Sequence, residues 1–268
     1  MNATKNGMKT FLITSCKGGV GRSTVAANLA SAIVKKEKNV LLVDCDFSNR
    51  SLDLILGCDD RVVYDVSDLA TGRADATKVV LKDEQMPHLF FIPAPNFKDD
   101  AFTPDQLGDA LSTAAKEYNC DYVIIDTPAA LDSTIPHLAS VADCALVLTT
   151  HRPMDVRAAE KTGYILEELG ICEQYLIINR LDSAGVLEGS KPGINELIDR
   201  AHIQLIGAIP ESAELEEAQA DGILVSGMRR DREHAEAAFD EIAGRLCGES
   251  IPLMSYLPEK KRRKILKI

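Results

Sequence analysis

Cys16-Lys17-Gly18-Gly19-Val20-Gly21-Arg22-Ser23-Thr24 follows the apolar run Phe11-Leu12-Ile13 and leads into Val25-Ala26-Ala27-Asn28-Leu29-Ala30-Ser31-Ala32-Ile33. A strand that turns through glycines into a helix gathers backbone N–H groups at the helix N-terminus, where they can cradle phosphate. The usual form is G-x-x-x-x-G-K-[ST], in which a lysine reaches the phosphates and a hydroxyl binds Mg²⁺. Gly21, Arg22 and Ser23 fit its end, with arginine in the lysine position. At its start Cys16 replaces glycine, and Lys17 adds a cation early in the loop. The plain alternative is a glycine-rich turn with no ligand, and the rest of the chain decides between them.

Outward from the loop, short apolar runs alternate with helical segments. Strands are expected at Thr10 to Ser15, Val40 to Asp44, Leu89 to Ile92, Tyr122 to Asp126, Cys144 to Thr149, Tyr175 to Ile178 and Leu205 to Ile209. Near-continuous apolar strands separated by helices imply an α/β fold, a mostly parallel central sheet with helices on both faces. Ligands in such folds sit at the carboxyl ends of the strands. Gly18, Asp44, Asp126 and Asn179 all fall there, although they are far apart in sequence.

Three acids suit a phosphate site. Asp126 ends Tyr122-Val123-Ile124-Ile125, and a buried strand ending in a carboxylate beside a phosphate loop is a way to hold Mg²⁺ through water. Asp44 and Asp46 in Leu42-Val43-Asp44-Cys45-Asp46 are two residues apart, so in an extended segment they point the same way. One could orient a water while the other supports the metal or the loop. Taken singly, each acid also reads as a strand-end turn or helix cap.

The loop, the acid pair and Ile124-Ile125-Asp126-Thr127-Pro128-Ala129 together resemble the deviant Walker A, or ParA/MinD, ATPase family of SIMIBI-type P-loop NTPases. The likeness spans residues 9 to 250, and Asn49 to Asp65 resembles the septum-placing branch. By itself, Gly57 to Asp65 reads as a helix end and turn with a packed Tyr64. The resemblance implies ATP and Mg²⁺ as cofactors and an ATP-dependent homodimer. It implies that Lys17 reaches a partner's phosphates, a cation supplied in trans. It assigns Gly18, Gly19, Val20, Gly21, Arg22, Ser23 and Thr24 to the phosphates, Ser23, Asp44 and Asp126 to the metal, and Asp46 to the attacking water. Asn179, with Pro210 and Glu211, is implied to read the base, a task an amide suits; alone, Asn179 reads as a strand-end turn. Arg22 departs from the family lysine. Being planar and bulkier, it is expected to keep nucleotide binding but slow hydrolysis.

The 268 residues carry a net charge of −11, but positions 260 to 268 hold six cations and no acid, which leaves −17 on the rest. Such a body repels nucleic acid, and the basic end is where an anionic surface would be met. The expected division is an ATPase domain over residues 1 to 250 and a basic tail over 251 to 268. Pro258 could start a helix in that tail. At about 100° per residue, Ile265 and Ile268 would share a face with Lys261 and Lys264, Leu266 pointing away; a solvated end is the plain reading. The family implies a helix lying on the membrane, and regulatory partners of the MinC/MinE kind. The seven cysteines make no C-x-x-C pair, as expected for reduced thiols. With no run of 18 apolar residues, a cytoplasmic protein, peripheral at the inner face of the membrane, is expected. Alternatives are a DNA- or cargo-partitioning ATPase, a flagellar-number regulator, and a nucleotide-binding scaffold that has lost catalysis.

Overall fold

The computed structural model describes residues 8–95, 102–128 and 134–267; Ala129 and Ile268, used above, lie outside them. The first half holds β1 (Lys9–Thr14), α1 (Arg22–Val34), β2 (Val40–Asp44), α2 (Leu52–Ile55), α3 (Val66–Ala70) and α4 (Ala76–Val79). Next come β3 (Leu81–Lys82), β4 (Leu89–Ile92), α5 (Pro104–Glu117), β5 (Tyr122–Asp126), α6 (Ile135–Val141) and β6 (Cys144–Thr149). Then follow α7 (Pro153–Glu168), β7 (Gln174–Leu181), α8 (Ser183–Glu188), α9 (Ile194–Ala201) and β8 (Gln204–Pro210). Helices α10 (Ala213–Ala220), α11 (Ala235–Leu246) and α12 (Glu259–Leu266) complete the described elements.

The strands form one sheet in the order β3-β4-β2-β5-β1-β6-β7-β8. Every pairing is parallel except that of β3 with β4. The seven strands expected from sequence are present; the two-residue antiparallel edge β3 is too short to leave a pattern. Alternation sends Leu12, Leu41, Val43, Val123, Ile125 and Val147 to one core, and Phe11, Ile13, Leu42, Ile124, Leu146 and Leu148 to the other. This is the two-sided burial that the apolar strands require. Helix α1, buried along nearly its whole length, lies between the sheet and α11. From β1 the chain winds to β2 on one side and later to β6 on the other. The loop after β1 therefore opens at the point where the winding reverses, the ligand crevice of such sheets.

Residues 251–267 continue the packing of the body. The Arg245 guanidinium donates to the Ile251 and Pro252 carbonyls at 2.9 and 2.7 Å. Glu241 accepts from the Ser255 hydroxyl and the Tyr256 N–H at 2.7 and 3.0 Å. Beyond Pro258, α12 contacts both α8 and α9, and Ile265 and Leu266 are buried. The face pattern placed Leu266 away from Ile265. A helix seated against two others buries neighbouring positions together, because each meets a different wall.

Candidate functional site

The loop after β1 is held from below and from the side. Gly21 sits at φ 91 as the N-cap of α1. A Cβ there would stand 2.4 Å from the Asn179 side-chain nitrogen, so both backbone conformation and space call for glycine. The Asn179 amide donates to the Val20 carbonyl at 2.8 Å, and the Cys16 N–H donates to the Thr162 hydroxyl at 2.9 Å. Lys17, Gly18 and Gly19 are left exposed. The Lys17 ammonium makes no ion pair among the described residues.

Arg22 is 7% exposed and its guanidinium is divided among three structural pieces. Nε donates to the Thr127 carbonyl at 2.9 Å, just past β5, and Nη1 donates to the Lys17 carbonyl at 3.0 Å. Nη2 faces Asp46 Oδ2 at 3.5 Å. A lysine ammonium could not span these three directions, because only the planar fork offers donors at fixed, separate angles.

Asp44 and Asp126 are neighbours in the β2–β5 register, yet their surroundings differ. Asp44 accepts from the Asp46, Ser51 and Leu52 N–H groups at 2.9, 3.2 and 3.1 Å. It organises the loop that carries Asp46. Burial pushes it up to about 6, against those backbone bonds. Asp126 is fully buried and both its oxygens lack a hydrogen-bond partner among the described residues. Burial, then the Asp44 charge, pushes it up to about 8, while the Ser23 hydroxyl and the Arg22 charge pull the other way. An orphaned pair of buried carboxylate oxygens beside a serine hydroxyl is a hard-oxygen donor set that fits Mg²⁺.

Asp46 is also buried. Its Oδ1 accepts from the Ser48 hydroxyl at 2.6 Å and from the Ser48 and Asn49 N–H groups at 3.2 Å each. Its Oδ2 is the face turned to Arg22, so the acid expected to position water is held by the cation expected to bind phosphate.

A cleft of about 730 Å³ runs from this loop to α10. Gly19, Gly21, Arg22, Ser23, Thr24 and Asp46 line one end, and Asn179, Arg180, Pro210, Ser212 and Glu216 the other. Glu211 is exposed and is not among the lining residues; Ser212, the N-cap of α10, lines the cleft instead. Arg180 is a residue the sequence reading passed over. It adopts φ 53 where the β7–β8 register shifts, and its guanidinium pairs with Glu216 at 3.6 Å. A bulge re-aims side chains, and nothing in Ile178-Asn179-Arg180-Leu181 announces it. The α10 wall is equally silent in sequence, because its residues carry no phosphate or base signature.

The described residues contain no helix long and apolar enough to cross a membrane. Residues 11–225 match the model of the CobQ/CobB/MinD/ParA nucleotide binding domain. The chain is 33% identical over 263 residues to the septum site-determining protein MinD of Bacillus subtilis (strain 168), covering 97% of this chain and 96% of that one. It is 34% identical over 251 residues to the protein of the same name from Helicobacter pylori (strain ATCC 700392 / 26695), covering 91% and 92%. Among solved structures, the MinC:MinD cell division protein complex of Aquifex aeolicus contains a chain that superposes with a TM-score of 0.84 at 31% identity, covering 91% of this chain and 98% of that one.

Proposed function

The chain belongs to the CobQ/CobB/MinD/ParA nucleotide-binding family, and on that premise we propose that it is a MinD-like switch ATPase of septum placement. Its ATP-bound form dimerises and binds the inner membrane surface. The observation that carries the reading is the loop at 16–24, which lines one end of a cleft of about 730 Å³ and whose Arg22 reaches the Thr127 carbonyl beside the buried Asp126. Likeness to septum site-determining proteins over nearly the whole chain supports the cellular role.

In this reading the loop N–H groups and the α1 N-terminus bind the phosphates. Ser23 and Asp126 hold Mg²⁺, whose bound charge offsets that of the phosphate oxygens. Asp44 stands behind them, fixing the 46–52 loop through three backbone bonds. Thr24 serves the phosphate end. Asn179 reads the base with its remaining amide hydrogen and oxygen, and Pro210 walls it. Asp46 must turn from Arg22 to a water to act as the positioning acid. Lys17, exposed and without an ion pair among the described residues, meets a second protomer's phosphates in this reading, where a cation stabilises developing charge.

Arg22 sets the pace of this switch. Its fork ties Thr127, Lys17 and Asp46 together, so hydrolysis requires those contacts to rearrange. Slow turnover lengthens the life of the dimer and of its membrane-bound form. The six cations at 260–267 supply attraction to anionic lipid of about 1 kcal/mol each near the surface, and two tails add avidity. Likeness to the MinC:MinD complex supports a MinC-like regulatory partner.

The test is sedimentation of the full chain with ATP, ADP or no nucleotide, beside size measurement. ATP is expected to produce a dimer that pellets with anionic vesicles. Pelleting with DNA instead would give the protein to the partitioning branch, and equal vesicle binding with and without ATP would remove the switch.

A further inference from the structure

Thr162 of α7 is fully buried, and its hydroxyl joins that helix to the first residue of the loop at 16–24. Oγ1 donates to the Ala158 carbonyl, one turn back, at 2.7 Å. With its proton spent there, Oγ1 turns a lone pair to the Cys16 N–H, which donates to it at 2.9 Å. The turn of α7 that carries Thr162 is itself pinned. Gln174 Nε2, at the start of β7, donates to the Gly163 carbonyl at 3.0 Å, and a Cβ at Gly163 would stand 3.0 Å from Ile203 Cδ1. One residue further along the loop, the Lys17 N–H donates to the Ser15 hydroxyl at 3.2 Å, and the Lys17 carbonyl accepts from Arg22 Nη1 at 3.0 Å. Both peptide units flanking the Lys17 Cα are therefore held, while its side chain is exposed. The Arg22 hold must loosen for turnover. The Thr162 hold lies outside the cleft and stays.

From this we infer that Thr162 is a positioning residue for the Lys17 cation: it fixes the entry of the loop, so that the Lys17 ammonium reaches a second protomer's phosphates at a set place. The inference rests on the reading of Lys17 as a cation supplied in trans. A lysine ammonium stands at the end of a flexible four-carbon stem, so its aim is no better than the backbone that carries it. A displacement of about 1 Å can cost about 100-fold in rate. The phosphates bound by the same chain depend on N–H groups further along the loop and at the α1 N-terminus, beyond the residue that Thr162 holds. Loss of the hydroxyl therefore acts on the step made across the dimer and spares the affinity of the cleft for nucleotide.

Thr162→Val keeps the branched shape and removes the acceptor, whereas Thr162→Ser keeps the acceptor and removes the methyl. In the nucleotide-free full chain, the Cys16 amide is expected to exchange its hydrogen about 10-fold faster in the valine variant and at the native rate in the serine variant. With ATP and Mg²⁺, kcat of the valine variant should fall about 10-fold while its nucleotide affinity stays within about 2-fold of native, and serine should restore kcat. A packing role alone would give the reverse order, since serine leaves a void in a fully buried site. Adding Thr162→Val to Lys17→Ala is expected to slow turnover no further, because the group being aimed is gone. Native-like Cys16 exchange or kcat in Thr162→Val, or an additive loss in the double variant, overturns the inference. Native turnover by Lys17→Ala, or a native chain that neither dimerises with ATP nor hydrolyses it, would instead remove the reading on which it stands.

Discussion

Asp126→Asn should stabilise the nucleotide-free, metal-free protein above neutral pH. The Asp126 carboxyl is fully buried and its oxygens have no hydrogen-bond partner of good geometry among the described residues. Burial raises it from an ordinary 3.8 to about 8. Across that interval the folded protein holds a proton that the unfolded chain has released, so stability is greatest below about pH 4 and falls as pH rises toward 8. At about 1.4 kcal/mol for each pH unit, the interval sets a ceiling of about 6 kcal/mol on the cost of ionising this group. Water entry and coupling to Asp44 reduce what is realised to about half. Asparagine keeps the shape and carries no charge, so the variant should gain on the order of 2–3 kcal/mol over the native chain at pH 8.5 and little at pH 5. Urea unfolding of both proteins in EDTA, at half-unit steps from pH 5 to 9, reads this directly. Asp44, raised to about 6, is present in both and titrates lower on the axis. Parallel stability profiles above pH 6.5 would refute the argument. Adding Mg²⁺ and nucleotide should reverse the ranking, since the cation favours the ionised carboxylate that only the native chain has.

Other substitutions separate the remaining roles. Arg22→Lys frees Asp46 and the Thr127 carbonyl, and single-turnover ATP hydrolysis should rise about 10-fold or more; equal rates would show that the guanidinium does not limit turnover. Asp44→Ala leaves three backbone N–H groups of the 46–52 loop without their acceptor and should cost about 2–4 kcal/mol by urea unfolding, with Asp46-dependent hydrolysis lost as well. Arg245→Ala removes the donor shared by the Ile206, Ile251 and Pro252 carbonyls. It should open residues 249–257 to limited proteolysis, and an unchanged cleavage pattern would argue that the apolar contacts alone hold the segment.

The loop at 16–24, the strand Tyr122 to Asp126 and the spacing of Asp44 and Asp46 were legible without coordinates, because each is a local pattern. Glycines permit a positive-φ turn, apolar runs mark buried strands, and acids at strand ends fall on one edge of a parallel sheet. These determined the fold class, the position of the cleft and the family. What they could not decide is how acids of the same type divide their labour. Asp44 is consumed by backbone N–H groups from residues two to eight positions ahead, whereas Asp126 next to it has no backbone donor among the described residues and only the Ser23 hydroxyl beside it. That difference depends on the path of the 46–52 loop through space. Asn179 likewise meets Val20 only because β7 and the loop after β1 end at the same edge of the sheet. The bulge that turns Arg180 into the cleft comes from the mismatch of β7 with β8, which no pattern in either strand records. The tail is the clearest case. Six cations and a few aliphatic residues determine that residues 258–268 can form a short basic helix. Only the packing of α8 and α9 decides that Ile265 and Leu266 lie inside the body, because burial is a property of the neighbour as much as of the residue.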